Sequence, residues 1–413
     1  MTSGDSKRPP SEAPPPRRPS TAPPPPSRAS TPPPPSRAST PPPTSQRGST
    51  PPPPSRSSAP VGSSRPSRPS SRISFPSVRF AAIDYDLANA ARRVIEGALG
   101  VVRGEHVVLI VDKERRDVGS ALLEIARDLG ADPIVHEIES HGDRPIRQLP
   151  EPIRAAMNRA QASCLAIGFE DGEIGMRHEL LVVVRQLALR HAHMIGVTRR
   201  SLIAGFSVDH SRILAMTRAV RTRLRPDSLL RLRTPAGSDL EVRLDPSSRW
   251  AEHVGVIRPG RWENLPSGKL TSCPALVRGV FVADASVGSH FGQAAGLLDK
   301  TPLRIEIENS TCKSVRCPDR ALQRDVEAYL GREHNLSRVG GVCVGTNVGI
   351  LSPTGELVAD QNLPGLHIVF GSAIPEQTGA SWSTRAQLPM TCALADVDLD
   401  GAPLLRAGRY MVT

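Results

Sequence analysis

The sequence predicts an α/β protein: a doubly wound parallel-sheet domain followed by a β-rich α+β domain, behind a disordered proline-rich tail. Three observations predict it. Of the 42 prolines in 413 residues, 24 fall within residues 1–75. Between residues 87 and 224, short apolar runs alternate with amphipathic stretches of ten to fifteen residues, the pattern of β-α-β units. After Pro226 the texture changes to short alternating runs broken by Gly and Pro, which reads as hairpins. The division expected is therefore a tail (1–75), an α/β domain (76–226) and a β-rich domain (227–413).

The tail repeats Ser-Arg-Ala-Ser-Thr-Pro-Pro-Pro at Ser27 and again at Ser36. Such a segment has too little apolar surface to offset the entropy of ordering, and its prolines favour polyproline II. It reads as a solvated spacer; a ligand for proline-binding modules, a phosphorylated array or a basic arm are the functional alternatives. Through Arg72 it carries eleven Lys/Arg against Asp5 and Glu12, so it supplies +9 of the formal +11. The rest of the chain is almost balanced. With aromatics at 3%, a nucleic-acid partner is not expected. The 338 remaining residues are long enough for two cores.

In the second segment, Leu87–Leu99 has helical spacing and Gly100 can end it. His106–Val111 reads as a buried strand, Val118–Leu129 as a helix stopped by Gly130, and Pro133–Ile138 as a strand. Helices are expected at Glu151–Ala160, Met176–Arg190 and Ser211–Leu224, with strands at Ser163–Phe169 and Met194–Val197. His191 and His193 stand just before that last strand, as strand-edge polar residues or as a metal pair lacking a third ligand. No phosphate-binding glycine motif follows any strand. In the third segment, strands are expected at Leu229–Arg233, Asp239–Leu244, Leu276–Phe281 continuing to Val287, Leu303–Ile307, Lys313–Val315 and around Val344 and Ile368, with a helix at Arg320–Leu330.

Six scattered cysteines (164, 273, 312, 317, 343 and 392) form no CxxC pair, which fits reduced core thiols in a cytoplasmic protein. No apolar run reaches the 18 residues a membrane span needs, and the N-terminus lacks a signal-peptide pattern. No nucleophile-elbow serine motif or recognisable cysteine nucleophile is present.

One stretch organises the rest: Arg261-Trp262-Glu263-Asn264-Leu265-Pro266-Ser267-Gly268-Lys269, a Pro/Gly-punctuated turn between strand-like runs. Downstream come Val339-Gly340-Gly341-Val342-Cys343-Val344-Gly345-Thr346-Asn347, then Asp360-Gln361-Asn362-Leu363-Pro364-Gly365-Leu366-His367, then Asp398-Leu399-Asp400-Gly401. Together with the strand entry Arg103–Ile110, and in this order, these segments resemble the aminopeptidase T family of metallopeptidases over roughly residues 80–413. The resemblance implies a homodimer and a pair of divalent ions (zinc, cobalt or manganese) whose bound water attacks the peptide carbonyl.

Carried over position by position, the bridging glutamate of that family falls on Lys269 and the second glutamate on Gly341. The family's first histidine is kept as His367, and its late His-x-Asp pair falls on Gln387 and Pro389. Four of five donors are gone, and one has become a cation. Two unit charges 4 Å apart interact by roughly 4 kcal/mol at an effective dielectric near 20, and each dication doubles that against Lys269. A dinuclear centre is therefore not expected. Glu252, His253, Glu263, His290 and Asp360 are the candidate substitute ligands, and neither His253 nor His290 sits in a recognised ligand spacing. The related iron-dependent ring-opening dioxygenases use a His-His-Asp set, and the missing His-x-Asp speaks against that chemistry too.

His367 reads as a buried hydrogen-bonded histidine or as a cleft residue. Lys269 reads as a solvated turn lysine, or as an ammonium in the metal's place facing Asp360 or Glu263. The expected cleft is thus Lys269, Glu263, Asp360 and Gln387, with His367 the retained ligand. The expected function is binding of a peptide or small carboxylate. A working metal-dependent aminopeptidase with substitute ligands is the alternative.

Overall fold

The computed structural model describes residues 83–411. The expectations for the tail and for the start of order near Phe75 lie outside them. Asp84 caps the first helix, α1 (Tyr85–Arg92), by accepting from the Leu87 amide. A π-helical turn, Arg93–Ala98, extends it, and Gly100 turns the chain away at φ +59°.

The first strands are β1 (His106–Val111), β2 (Asp132–Glu137), β3 (Ala162–Ala166) and β4 (Arg190–His193). The helices between them are α2 (Arg116–Asp128), α3 (Glu151–Met157) and α4 (Ile174–Gln186), followed by α5 (Arg199–Gly205) and α6 (His210–Arg221). All four strands are parallel, in the order β2-β1-β3-β4. Apolar residues of α1, α2 and α5 pack on one face, among them Leu87, Leu122 and Leu202. Those of α3 and α4, including Ile153, Met157 and Leu180, pack on the other. The doubly wound sheet is the one that the alternation of runs predicts.

Fourteen further strands follow. They begin with β5 (Leu229–Arg233), β6 (Asp239–Leu244), β7 (Ala251–His253), β8 (Trp262–Asn264), β9 (Lys269–Ser272) and β10 (Pro274–Ala283). Next come β11 (Leu303–Glu308), β12 (Thr311–Arg316), β13 (Val339–Gly345), β14 (Gly365–Gly371) and β15 (Gln387–Met390). The last are β16 (Asp396–Leu399), β17 (Ala402–Arg406) and β18 (Arg409–Tyr410). One antiparallel sheet runs β12-β11-β10-β6-β5-β16-β17-β18, and another β15-β14-β13-β9-β7. Their facing sides share one core, with Leu230, Leu232, Leu240 and Phe281 from the first and Leu270, Val342, Ile368 and Phe370 from the second.

Two expectations are corrected. The boundary after residue 226 is crossed by β8, which pairs with β4 in parallel and completes the first sheet as its fifth strand. A three-residue strand carries no periodicity, so it read as part of a turn. The described residues, 83–411, all belong to a single compact unit. Second, the fourth parallel strand is Arg190–His193 rather than Met194–Val197, so His191 and His193 lie inside it and are buried. They escape the usual cost of burying polar rings because they are hydrogen-bonded in series: Ser163 Oγ to His191 Nδ1 at 2.8 Å, then His191 Nε2 to His193 Nδ1 at 3.2 Å. Burial pushes both rings down, His193 to about 3, so both are neutral.

All six cysteines are free. Among the described residues no helix is long and apolar enough to cross a membrane.

Helix α5, which the sequence reading missed, is fixed by a capping box between Thr198 and Ser201. Its last residue, Gly205, lies against the Leu265–Pro266 bend between β8 and β9. A Cβ on Gly205 would collide with Cβ and Cγ of the Pro266 ring. Gly205→Ala is expected to lower stability by about 1–3 kcal/mol through overpacking, read as a shift of the urea midpoint at constant slope.

A cleft between the parallel sheet and the inner antiparallel sheet

A cleft of about 1480 Å³ opens between the end of the parallel sheet and the outer face of the β15-β14-β13-β9-β7 sheet. Strand register builds its floor. Lys269 pairs with Gly345, Thr271 with Cys343, Cys343 with His367, Gly341 with Val369, and Val369 with Pro389. Directly paired residues of an antiparallel sheet share a face. The positions aligned with the family's ligands (Lys269, Gly341, His367, Gln387 and Pro389) therefore lie on one side of one sheet. All but His367 line the cleft, and Glu263 joins them from β8.

Lys269 is buried, not a solvated turn residue. Its Nζ donates to Gln361 Oε1 at 2.5 Å. Burial pushes the ammonium's pKa below its usual value, against the smaller opposing influence of Cys343 and Glu263. The expected pairing with Asp360 is corrected. Asp360 lies outside the cleft lining and accepts from Thr354 N and Oγ1 and from Gly355 N at 2.7–2.9 Å. Its burial, opposed by those bonds, raises its pKa to about 6. Gln361, one residue on in the same helical turn, faces Lys269 instead. Consecutive helical residues point about 100° apart, and the motif's spacing does not say which one faces inward. Glu263 stands 3.7 Å from His253. Gln387 Nε2 donates to the Ser372 carbonyl at 3.3 Å.

His367 is buried with both ring nitrogens occupied. Nε2 donates to the Leu363 carbonyl at 2.9 Å, and Nδ1 accepts from the Cys392 amide at 3.3 Å. Burial and, secondarily, the Lys269 charge push its pKa down to about 4, while the Leu363 bond opposes them. In this tautomer the ring has no lone pair left for a metal.

The donors present do not fit a dinuclear metal centre. One aligned position is a cation, Gly341 and Pro389 have no donor, and His367 is spent on the backbone. Of the substitute candidates only His253 and Glu263 stand together, 3.7 Å apart, and two donors do not make a dinuclear site. Glu252 meets Arg221 at 3.8 Å, His290 meets Asp171 at 2.6 Å, and Asp360 serves the 354–355 turn. Among the described residues no three His, Cys, Asp or Glu side chains are grouped to hold a metal ion.

Two solved structures share this architecture. Wild-type AmpT from Thermus thermophilus superposes with a TM-score of 0.57 at 17% identity, over 79% of this chain and 99% of that one. The fold is aminopeptidase-like. A 2,5-dihydroxypyridine dioxygenase from Pseudomonas putida KT2440 superposes with a TM-score of 0.54 at 15% identity, over 79% of this chain and 96% of that one. Two proteins of different activity on one architecture fix the fold and leave the chemistry to the residues of the site. No protein-family model and no curated protein sequence matches the chain.

The sequence reading also missed Arg177, on α4, which lines the same cleft. A single arginine on an amphipathic helix reads as a solvated charge, and only the fold shows where it points.

Proposed function

We propose that this protein binds an anionic small molecule or a peptide in the cleft, on an aminopeptidase-like fold that has lost the metal-ligand positions of that architecture. The observation that carries the reading is Lys269. A buried ammonium stands where the resemblance puts a bridging carboxylate, and its hydrogen-bond partner is the neutral amide of Gln361. A positive charge on that floor repels dications and attracts an anionic ligand group.

Elemental analysis of the purified chain, run beside hydrolysis of aminoacyl reporter substrates, tests the reading. Less than one divalent ion per chain and no hydrolysis are expected. Lys269→Glu is expected to bind metal weakly at best and to remain inactive, because Gly341, Gln387 and Pro389 still supply no donor. Tight, stoichiometric zinc, cobalt or manganese with release of N-terminal residues would replace this reading by a metallo-aminopeptidase with substitute ligands.

A further inference from the structure

Arg177 lines the cleft from α4 with its guanidinium carbon 5.1 Å from the centroid of the Phe169 ring. Its Nε is buried and has no hydrogen-bond partner among the described residues. The acids near it are committed elsewhere. Glu173 accepts from Arg144 Nε and Nη2 at 2.8 and 2.7 Å and from the Ile146 amide at 3.1 Å. Asp171 is held by His290 at 2.6 Å. A buried donor without an acceptor costs free energy in the empty protein, so a group left this way inside a cleft marks where a ligand's acceptor belongs.

The surroundings narrow the ligand. Among the described residues Arg177 has no acid partner of its own, and Asp171 and Glu173 stand near it, so at this guanidinium a dianion is repelled more than a monoanion. The planar guanidinium suits the two oxygens of a carboxylate. Beside it, His193 presents a neutral ring, fixed by His191 and packed 5.4 Å from the Trp262 ring. In a chain with 3% aromatic residues, Phe169, Trp262 and Tyr329 all line this cleft. Flat apolar walls around one unpaired guanidinium select a flat apolar body carrying one carboxylate. Resting on the reading above that the cleft binds an anion, we infer that Arg177 anchors the carboxylate of an aromatic monocarboxylic acid whose ring lies against Phe169 and Trp262.

Calorimetric titration of the full chain with benzoate, acetate and inorganic phosphate tests this, on the native protein and on Arg177→Met and Arg177→Lys. Benzoate is expected to bind at least about 10-fold more tightly than acetate, from burial of the ring. Arg177→Met is expected to weaken benzoate roughly 10- to 100-fold, with Arg177→Lys between. Because the guanidinium has no hydrogen-bond or acid partner among the described residues, and Met keeps an apolar contact with Phe169, the ligand-free Arg177→Met protein is expected to melt at or above the native temperature. Three results would overturn the inference: benzoate binding unchanged in Arg177→Met, phosphate preferred to benzoate or benzoate not bound at millimolar concentration, or a ligand-free variant melting several degrees lower. The metal measurement fails separately. A metal-loaded peptidase would sink the binding-protein reading and leave the dependence on Arg177 to be read by itself.

Discussion

Arg144→Met is expected to destabilise the protein by about 3–5 kcal/mol, the range for removing one partner of a buried ion pair. Arg144 closes a network at the end of the parallel sheet. It donates to Glu173 twice, to Asp112 Oδ2 at 3.0 Å and to the Gly168 carbonyl at 2.9 Å. The Glu173 and Asp112 side chains are each only 1% exposed. Without Arg144, Asp112 keeps Arg115 and the Gly168 amide, but Glu173 keeps only the Ile146 amide. The penalty therefore falls on Glu173. For that reason the double variant Arg144→Met, Glu173→Gln is expected to recover part of the loss, since no bare carboxylate remains buried. Urea unfolding of the single and double variants measures both. A loss under about 1 kcal/mol for the single variant would mean that water reaches Glu173 and that the network adds little.

The same network shows why the cleft was only partly legible in the sequence. Apolar runs such as His106–Val111 announce themselves, and so does a hairpin like Leu229–Leu244, because burial writes a period into the chain. The motifs also bring the positions of the cleft floor to one sheet. Lys269, Gly341, Gln387 and Pro389 were aligned one by one, and antiparallel register places them on one face. What did not show is orientation within short segments and the bookkeeping of charge between distant ones. Gln361 rather than Asp360 meets Lys269 because one helical residue turns the side chain away. Arg177 is unpaired only because Arg144 and His290, from other parts of the chain, take Glu173 and Asp171. His191 and His193 looked like edge residues because a buried histidine and an exposed one are the same letter. Their mutual hydrogen bond and Ser163 decide between the two.

Lys269→Met is expected to raise stability at neutral pH by about 1–3 kcal/mol, as when a buried ion is replaced by an apolar side chain of similar size. The variant loses the bond to Gln361, which offsets part of the gain. The pH dependence separates a desolvated ammonium from an ordinary packing improvement. Burial puts the folded-state pKa of Lys269 below its usual value of 10.5. Between those two values the unfolded chain binds more protons at this residue than the native one, so the native protein gains stability as pH rises. Below the lowered pKa both states are protonated and the whole disadvantage is present; above 10.5 both are neutral and it is gone. The gap between Lys269→Met and the native protein is therefore expected to be widest near neutral pH and to close as pH climbs toward 10.5. Groups that titrate identically in both proteins cancel from the comparison. Urea midpoints for the two proteins, measured in steps from neutral to alkaline pH, give the curve. A gap that does not change with pH, or a variant less stable than the native protein at neutral pH, would mean that the ammonium is satisfied as it stands. Lys269 would then be a structural residue of the floor, and the attraction of the cleft for anions would rest on Arg177 and the other arginines that line it.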